Sequence, residues 1–227
     1  YNVSGSLYWN NIQLDASGGG AFTTTSNVTS NSEGSYALDD FVFGSDSLDD
    51  DGNTDHDSRM FFDKSKGAFR AGCVTGTQWD DANRGSYSVA FGNNNTSSGV
   101  RSFSCGEANT SSASYSVAFG ANNTSSGSYA FCVGSNNTAS SFNCIAMGIS
   151  NTSSGNYSAS IGLGNTSNGS YTFSANAYNT AHDFCETVHG RYNVVSTGSQ
   201  TSWTSTDSLF VIGNGTGTSA RSNALQV

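Results

Sequence analysis

A fourteen-residue phrase, repeated without insertion or deletion, constrains this chain more than any other feature. One copy reads Gly-Ser-Tyr-Ser-Val-Ala-Phe-Gly-Asn-Asn-Asn-Thr-Ser-Ser from Gly85 to Ser98. Later copies open at Gly99, Ala113, Gly127, Ser141, Gly155 and Gly169, and a degenerate eighth opens at Asp183. A fixed internal period makes a stack of small units that bury a core only by covering one another. Fourteen residues are too few for a helical repeat and suit one coil of a β-solenoid, with two short strands and two tight turns. Stacked about 4.8 Å apart, eight coils make a rod of roughly 38 Å. The expected fold is all-β, a parallel solenoid of 14-residue coils.

Positions within a coil are numbered as places 1 to 14. Place 8 is Gly92, Gly106, Gly120, Gly134, Gly148 and Gly162, then Asn176 and again Gly190. Asn tolerates a left-handed backbone best after Gly, so this column predicts a turn residue with positive φ. Places 5 and 7 alternate with a small residue between them, the period of a strand. Val89, Phe91, Phe103, Val117, Phe119, Phe131, Val133, Ile145, Met147 and Ile161 are large members of these two columns, which Phe173 continues at place 5, and are expected to fill the core. Place 6 holds Ala90, Ser104, Ala118, Cys132, Ala146, Ser160 and Ser174, a face that another backbone can approach closely. Asn95, Asn109, Asn123, Asn137, Asn151, Asn165 and Asn179 form an unbroken column at place 11, each followed by Thr. Stacked amides explain such a column as a hydrogen-bonded ladder. The sequons it creates, at Asn95, Asn109, Asn123, Asn151 and Asn165, would be glycan acceptors in a secreted eukaryotic protein, but the repeat itself generates them.

Composition sets the outer limits. Charged residues make up 11% of the chain, Pro is absent, and the net charge is −9. That balance argues against nucleic acid or an anionic membrane as partner. No apolar run is long enough to span a bilayer. Nine of the 17 acidic residues lie between Asp39 and Asp63, whereas the coils from Gly85 to His182 carry only Arg101 and Glu107. With no signal peptide and no initiator Met, Tyr1 is expected to mark a processed or excised fragment. The chain divides into a strand-rich lead-in (1–36), an acidic loop and lead segment (37–84), the coils (85–196) and a short closing module (197–227). Of the cysteines in the coils, Cys105, Cys132, Cys144 and Cys185 share no column, so buried free thiols are expected rather than a ladder of bridges.

The Ser-Tyr-Ser-Val-Ala-Phe-Gly unit, with Asn-Thr-Ser-Ser-Gly between units, resembles the YadA-like head repeat of trimeric autotransporter adhesins, also present in viral and phage fibres. The flanks resemble that family too. Ala68-Phe69-Arg70-Ala71-Gly72 with Gln78-Trp79-Asp80-Asp81-Ala82-Asn83 looks like the segment leading into such heads. Leu209-Phe210-Val211-Ile212-Gly213-Asn214-Gly215 with Arg221-Ser222-Asn223-Ala224 looks like the segment closing them. The resemblance covers roughly residues 59–227 and implies a left-handed parallel β-roll and a homotrimer, with the small place-6 column between protomers. The family's stalk and membrane anchor have no counterpart in this segment, which gives no support to a cell-surface anchoring mode.

Candidate sites are few. Asp49, Asp51, Asn53 and Asp55 alternate around Gly52, the oxygen-rich turn that Ca²⁺ favours, although no Glu closes an EF-hand loop. A solvated acidic turn explains the same residues. Calcium is the one cofactor the sequence suggests. His56, His182 and His189 show no zinc spacing; His189, at place 7, is expected to point inward at the end of the core. No nucleophile elbow, phosphate loop or paired-carboxylate cleft is legible, and no catalysis is expected. Tyr87, Tyr115, Tyr129, Tyr157 and Tyr171 share place 3 and could pack at the strand start or stack on sugars. The reading is a non-enzymatic trimeric fibre or adhesin head, extracellular on a bacterium or a virion, that attaches to a host glycan or protein. A spacer with no ligand of its own is the alternative. Ice binding, suggested by the single Thr column, is a third.

Overall fold

A computed structural model describes residue 44 and residues 47–227 in full; before them it describes only the backbone of short strands between residues 2 and 43. Those early pieces include a three-stranded antiparallel sheet (Asn2–Val3, Ser6–Trp9, Ile12–Gln13) and a hairpin (Thr23–Thr25 with Val28–Ser30).

The rest is a parallel β-solenoid with seven complete coils. Each coil contributes one five-residue strand (Val89–Asn93 in the first) and one two-residue strand (Thr96–Ser97). The long strands lie in a thirteen-stranded sheet and the short ones in a seven-stranded sheet. Within the coils the strand residues pair in register with their counterparts fourteen positions on, as Phe103 does with Val117 and Thr96 with Thr110. Among the described residues there is no α-helix, only 3₁₀ turns at Thr54–His56, Thr77–Trp79 and Asp81–Asn83. Among the described residues no helix is long and apolar enough to cross a membrane.

The two faces of the long strand are the reverse of the sequence expectation. Place 6 points into the coil: Ala90, Ser104, Ala118, Cys132, Ala146, Ser160 and Ser174 are all fully buried. The large residues expected as core lie outside. Val89, Phe91, Phe103, Val117, Val133 and Met147 are half-buried, and Phe119, Phe131, Ile145 and Ile161 are exposed. The cause is the narrowness of a 14-residue coil. Ser104 Oγ at place 6 donates to the carbonyl of Thr96 on the opposite strand at 2.8 Å, and Ser111 Oγ returns the bond to Phe103 O at 2.9 Å. An interior one hydroxyl wide has no room for Phe or Ile. The backbone that approaches place 6 is therefore the chain's own short strand. The interior is small and polar: places 4 and 13 are buried Ser, Ala, Cys or Thr throughout the seven complete coils.

The corners supply the rest of the stability. Place 8 turns with φ between +100° and +120° at the six glycines from Gly92 to Gly162, and Asn176 keeps the column with φ 77°. A Cβ on Gly120 would meet the Gly134 carbonyl oxygen at 2.1 Å, so sterics as well as φ favour glycine there. At place 11 each Asn is fully buried. Asn109 is typical: its backbone N–H and Nδ2 donate to Asn95 Oδ1 (3.0 and 2.9 Å), and Nδ2 also reaches the Cys105 and Gly120 carbonyls. The ladder runs the length of the roll and links each coil to both neighbours.

Because places 12, 14 and 1 send N–H groups forward to carbonyls at places 11 and 13, the first coil has carbonyls without a coil before them. The lead segment supplies the missing donors. Trp79 Nε1 donates to Asn95 O at 3.0 Å, where the next coil receives Thr96 N–H on Asn109 O. The Arg70 guanidinium donates to Ser97 O, Ser88 O and Ser88 Oγ. Burial, together with nearby Arg84, lowers its pKa to about 10, which leaves it charged at neutral pH. Arg84 lies over the Phe61 ring and binds Asp63, Asp49 and Asp81. Phe61, Val74, Trp79 and Ala90 form the apolar plug beneath.

Candidate interaction surface

Two rows of large side chains run along the outside of the roll. The first is the place 5 and 7 stripe, prolonged by Phe69 and Ala71 before the coils and by Phe210 and Ile212 after them through in-register pairing. Its rings meet edge to face: Phe69 with Phe91 at 5.5 Å and Phe91 with Phe103 at 6.0 Å. His189 belongs to this row. It points outward, not into the core, with its ring 5.5 Å from Phe173 and 6.0 Å from Phe210. The stripe is thus a continuous half-covered apolar surface on one sheet. A monomeric soluble protein rarely leaves so long a patch uncovered.

The second row stands at the turn before the long strand. Every place-3 residue has positive φ, from Tyr87 (60°) through Arg101 (57°) to Cys185 (62°). This backbone is strained for a bulky residue, and ring stacking accompanies it. Arg101 sits between the Tyr87 and Tyr115 rings, 5.4 and 5.3 Å from their centroids. Tyr115 stacks on Tyr129 at 4.8 Å and Tyr157 on Tyr171 at 4.9 Å, both nearly parallel. Where Asn143 interrupts the column, Phe142 from place 2 bridges Tyr129 and Tyr157 edge to face. Phe184 does the same above Tyr171, beside Cys185. The row is well exposed, Tyr87 by 64%, but neighbouring side chains cover much of its ring faces. What it offers to solvent is mainly ring edges and hydroxyls. A second positive-φ column lies at place 10, from Asn94 to Tyr192.

The acidic loop uses its oxygens internally. Asp49 Oδ1 receives Arg84 Nη1 at 2.5 Å. Asp51 Oδ2 pairs with His56 Nδ1 at 2.7 Å while Oδ1 accepts from Asn53 N–H, and both contacts lower the Asp51 pKa. Asn53 Oδ1 accepts from Asp55 N–H. Among the described residues no three acidic, His or Cys side chains come together in a way that could hold a metal ion. The sequon asparagines of the ladder, Asn95, Asn109, Asn123, Asn151 and Asn165, are fully buried, so a glycan on any of these five is incompatible with the folded coil, whereas the sequons at Asn122, Asn136, Asn156 and Asn214 lie on exposed residues.

The cysteines are free. Burial pushes the Cys132 thiol up to about 12, helped by Cys144, and raises Cys144 as well. Both sulfurs sit inside the roll and donate to carbonyls, Cys132 to Thr124 and Cys144 to Ser141.

Comparison with known proteins finds no family model and no curated protein that matches this chain.

Proposed function

We propose that the chain is a non-enzymatic segment of a homotrimeric extracellular fibre, of the YadA-like head type, that carries a rigid attachment surface. The observation that carries this reading is the outward apolar stripe from Phe69 to Ile212. Each large side chain that passes from half-exposed to covered adds on the order of 1 kcal/mol, and each protomer contributes a column of them. Three rolls facing one another through this stripe would cover it, whereas a lone roll leaves it wet. The small, polar interior supports the same conclusion, because it supplies little hydrophobic stabilisation to a single chain. A bacterial surface or a virion fibre is the setting that the repeat implies.

The second reading, a spacer with no ligand of its own, is favoured by one observation: the exposed Tyr row spends much of its ring surface on itself, leaving less for stacking on sugars. Multi-angle light scattering tests the assembly. The expected mass is about three times the 23.5 kDa chain, and a stable β-rich monomer at micromolar concentration would overturn it. A glycan array probed with the assembled protein separates attachment from spacing, since a spacer gives no hits.

A further inference from the structure

The last coil faces the opposite problem from the first. In each of the first six coils, the N–H groups at place 14 or at the following place 1 donate forward to the next coil's place-13 carbonyl, as Ser98 and Gly99 do to Ser111 O. After His182 and Asp183 the short sheet has no further strand. The two N–H groups there donate instead to one carboxylate oxygen, Glu186 Oε2, at 2.6 and 3.1 Å. Asn193 performs the same substitution one step away. Its side chain accepts from Thr180 N–H at 2.8 Å and donates to Thr180 O at 2.9 Å, replacing the strand that would have lain there.

Glu186 occupies place 4, where the other coils hold Ser, Ala, Cys or Thr, and it is fully buried. Ser196 Oγ also donates to Oε2, while Oε1 has no hydrogen-bond partner among the described residues. The groups around it are acidic. Asp183, also fully buried, accepts from Gly198 N–H and Ser208 N–H. Asp207 accepts from Ser199 N–H, Thr204 N–H and Thr204 Oγ1. His182 turns its Nδ1 to Gln200. The Arg221 guanidinium goes to the Tyr178 and Asn193 carbonyls, and no Lys or Arg pairs with the three carboxylates among the described residues. Segment 194–208 is therefore fastened to the last coil by buried carboxylates without a countercharge, one of which keeps a bare oxygen.

We propose that Glu186 is a proton-linked latch: in the folded roll Oε1 takes a proton from solvent, and the closing segment is held more firmly in mild acid than at neutral pH. The proton forms an O–H bond at the bare oxygen, leaves Oε2 as acceptor for the His182 and Asp183 N–H groups, and reduces the charge beside Asp183 by one. The electrostatics have the required sign. Burial first, and Asp183 second among the raising influences, place the Glu186 pKa above its ordinary 4.5, while the N–H groups and Ser196 oppose them. A carboxyl with a raised folded-state pKa binds its proton more tightly folded than unfolded, so stability rises as pH falls toward 4.5. The lowered carboxylates Asp51, Asp63, Asp81 and Asp207 act in the other direction, and their effect is lost mainly below about pH 5, so it contributes little between neutral pH and mild acid.

The chain has three glutamates, Glu33, Glu107 and Glu186, so carboxyl-labelled glutamate gives a resolvable NMR titration of the intact protein. The Glu186 carboxyl should titrate above that of exposed Glu107; a midpoint at or below it overturns the latch. Native-state amide exchange, corrected for intrinsic rates, reads the consequence. Protection of the His182, Asp183, Gly198 and Ser208 amides should rise several-fold from about pH 7.5 to about pH 5 in the unmodified chain. In Glu186→Gln, whose amide oxygen accepts the same N–H groups without charge, it should be high and flat. An unmodified chain whose protection is flat or falls with acid refutes the proposal. So does a Glu186→Gln variant that keeps the unmodified pH profile.

Discussion

The inward and outward faces of a single strand, Val117-Ala118-Phe119, behave as two different materials. Inward, Ala118 lies in a slot bridged elsewhere by single hydroxyl hydrogen bonds, with no tolerance for volume. Outward, Phe119 is 49% exposed and touches no interior at all. In an ordinary sheet protein the large apolar side is the core. Here the coil is too narrow, so hydrogen bonds and close-packed small groups hold the chain, and the large apolar groups are left for whatever covers the outside.

Ala118→Leu should break this difference most severely. Three extra carbons have nowhere to go between the two strands, and the cost should be about 3 kcal/mol or more. Circular dichroism and chemical denaturation would show a lost or strongly weakened β-fold, and a melting temperature near that of the unmodified protein would mean the interior is wider than described. Thiol labelling sharpens the same contrast without mutation. With Cys132 pushed up to about 12 from 9.0, its thiolate fraction falls ~1,000-fold, so a thiol reagent should modify exposed Cys185 long before Cys132 or Cys144. Peptide mapping during the reaction checks the order. Simultaneous labelling would place Cys132 in contact with solvent.

Asn123→Ala tests the corner that joins the faces. It strips the acceptor from Asn137 N–H and Nδ2 and the donor from the Phe119 and Gly134 carbonyls, all within a buried ladder. A loss of roughly 2–4 kcal/mol in equilibrium unfolding is expected. The smallest effect belongs to the outside. Phe119→Ser should change the stability of separated chains by less than about 1 kcal/mol. In the assembled protein it should shift light scattering toward lower mass. Equal effects of Phe119→Ser and Ala118→Leu on the isolated fold would erase the distinction between the faces.

Much of this was legible in the residues. The period, the parallel stacking and the column nature of Asn95 to Asn179 follow from spacing alone, and the Asn176 substitution marked place 8 as a positive-φ turn. Inside and outside were not legible. Alternation establishes that Phe119 and Ala118 oppose each other but not which one the chain wraps around; coil width decides that, and width is a property of the closed loop. The positive-φ column at place 3 was hidden for another reason. Tyr gives no hint of a left-handed backbone, and the ring stacking around it exists only once coils are stacked. Nor does the pattern mark Phe142 and Phe184 at place 2, whose rings fill in where place 3 holds Asn143 and Cys185. The end caps did leave signals. Glu186 and Asp183 are carboxylates in columns otherwise small, and Arg70 and Trp79 lie in the segment resembling a head's lead-in. The spacing could not say that one end needs donors and the other acceptors.

The constant offset of fourteen residues makes the roll a molecular ruler. Both terminal closures lie outside the interior coils, so removing residues 113–126 would seat the coil at Gly127 directly on the one at Gly99 and shorten the rod by about 4.8 Å. Removing thirteen residues would instead turn one strand's inward side outward and ruin every layer above it. Exchange between near-identical copies during replication can therefore change the reach of such a rod in fixed graduations while leaving both finished ends untouched.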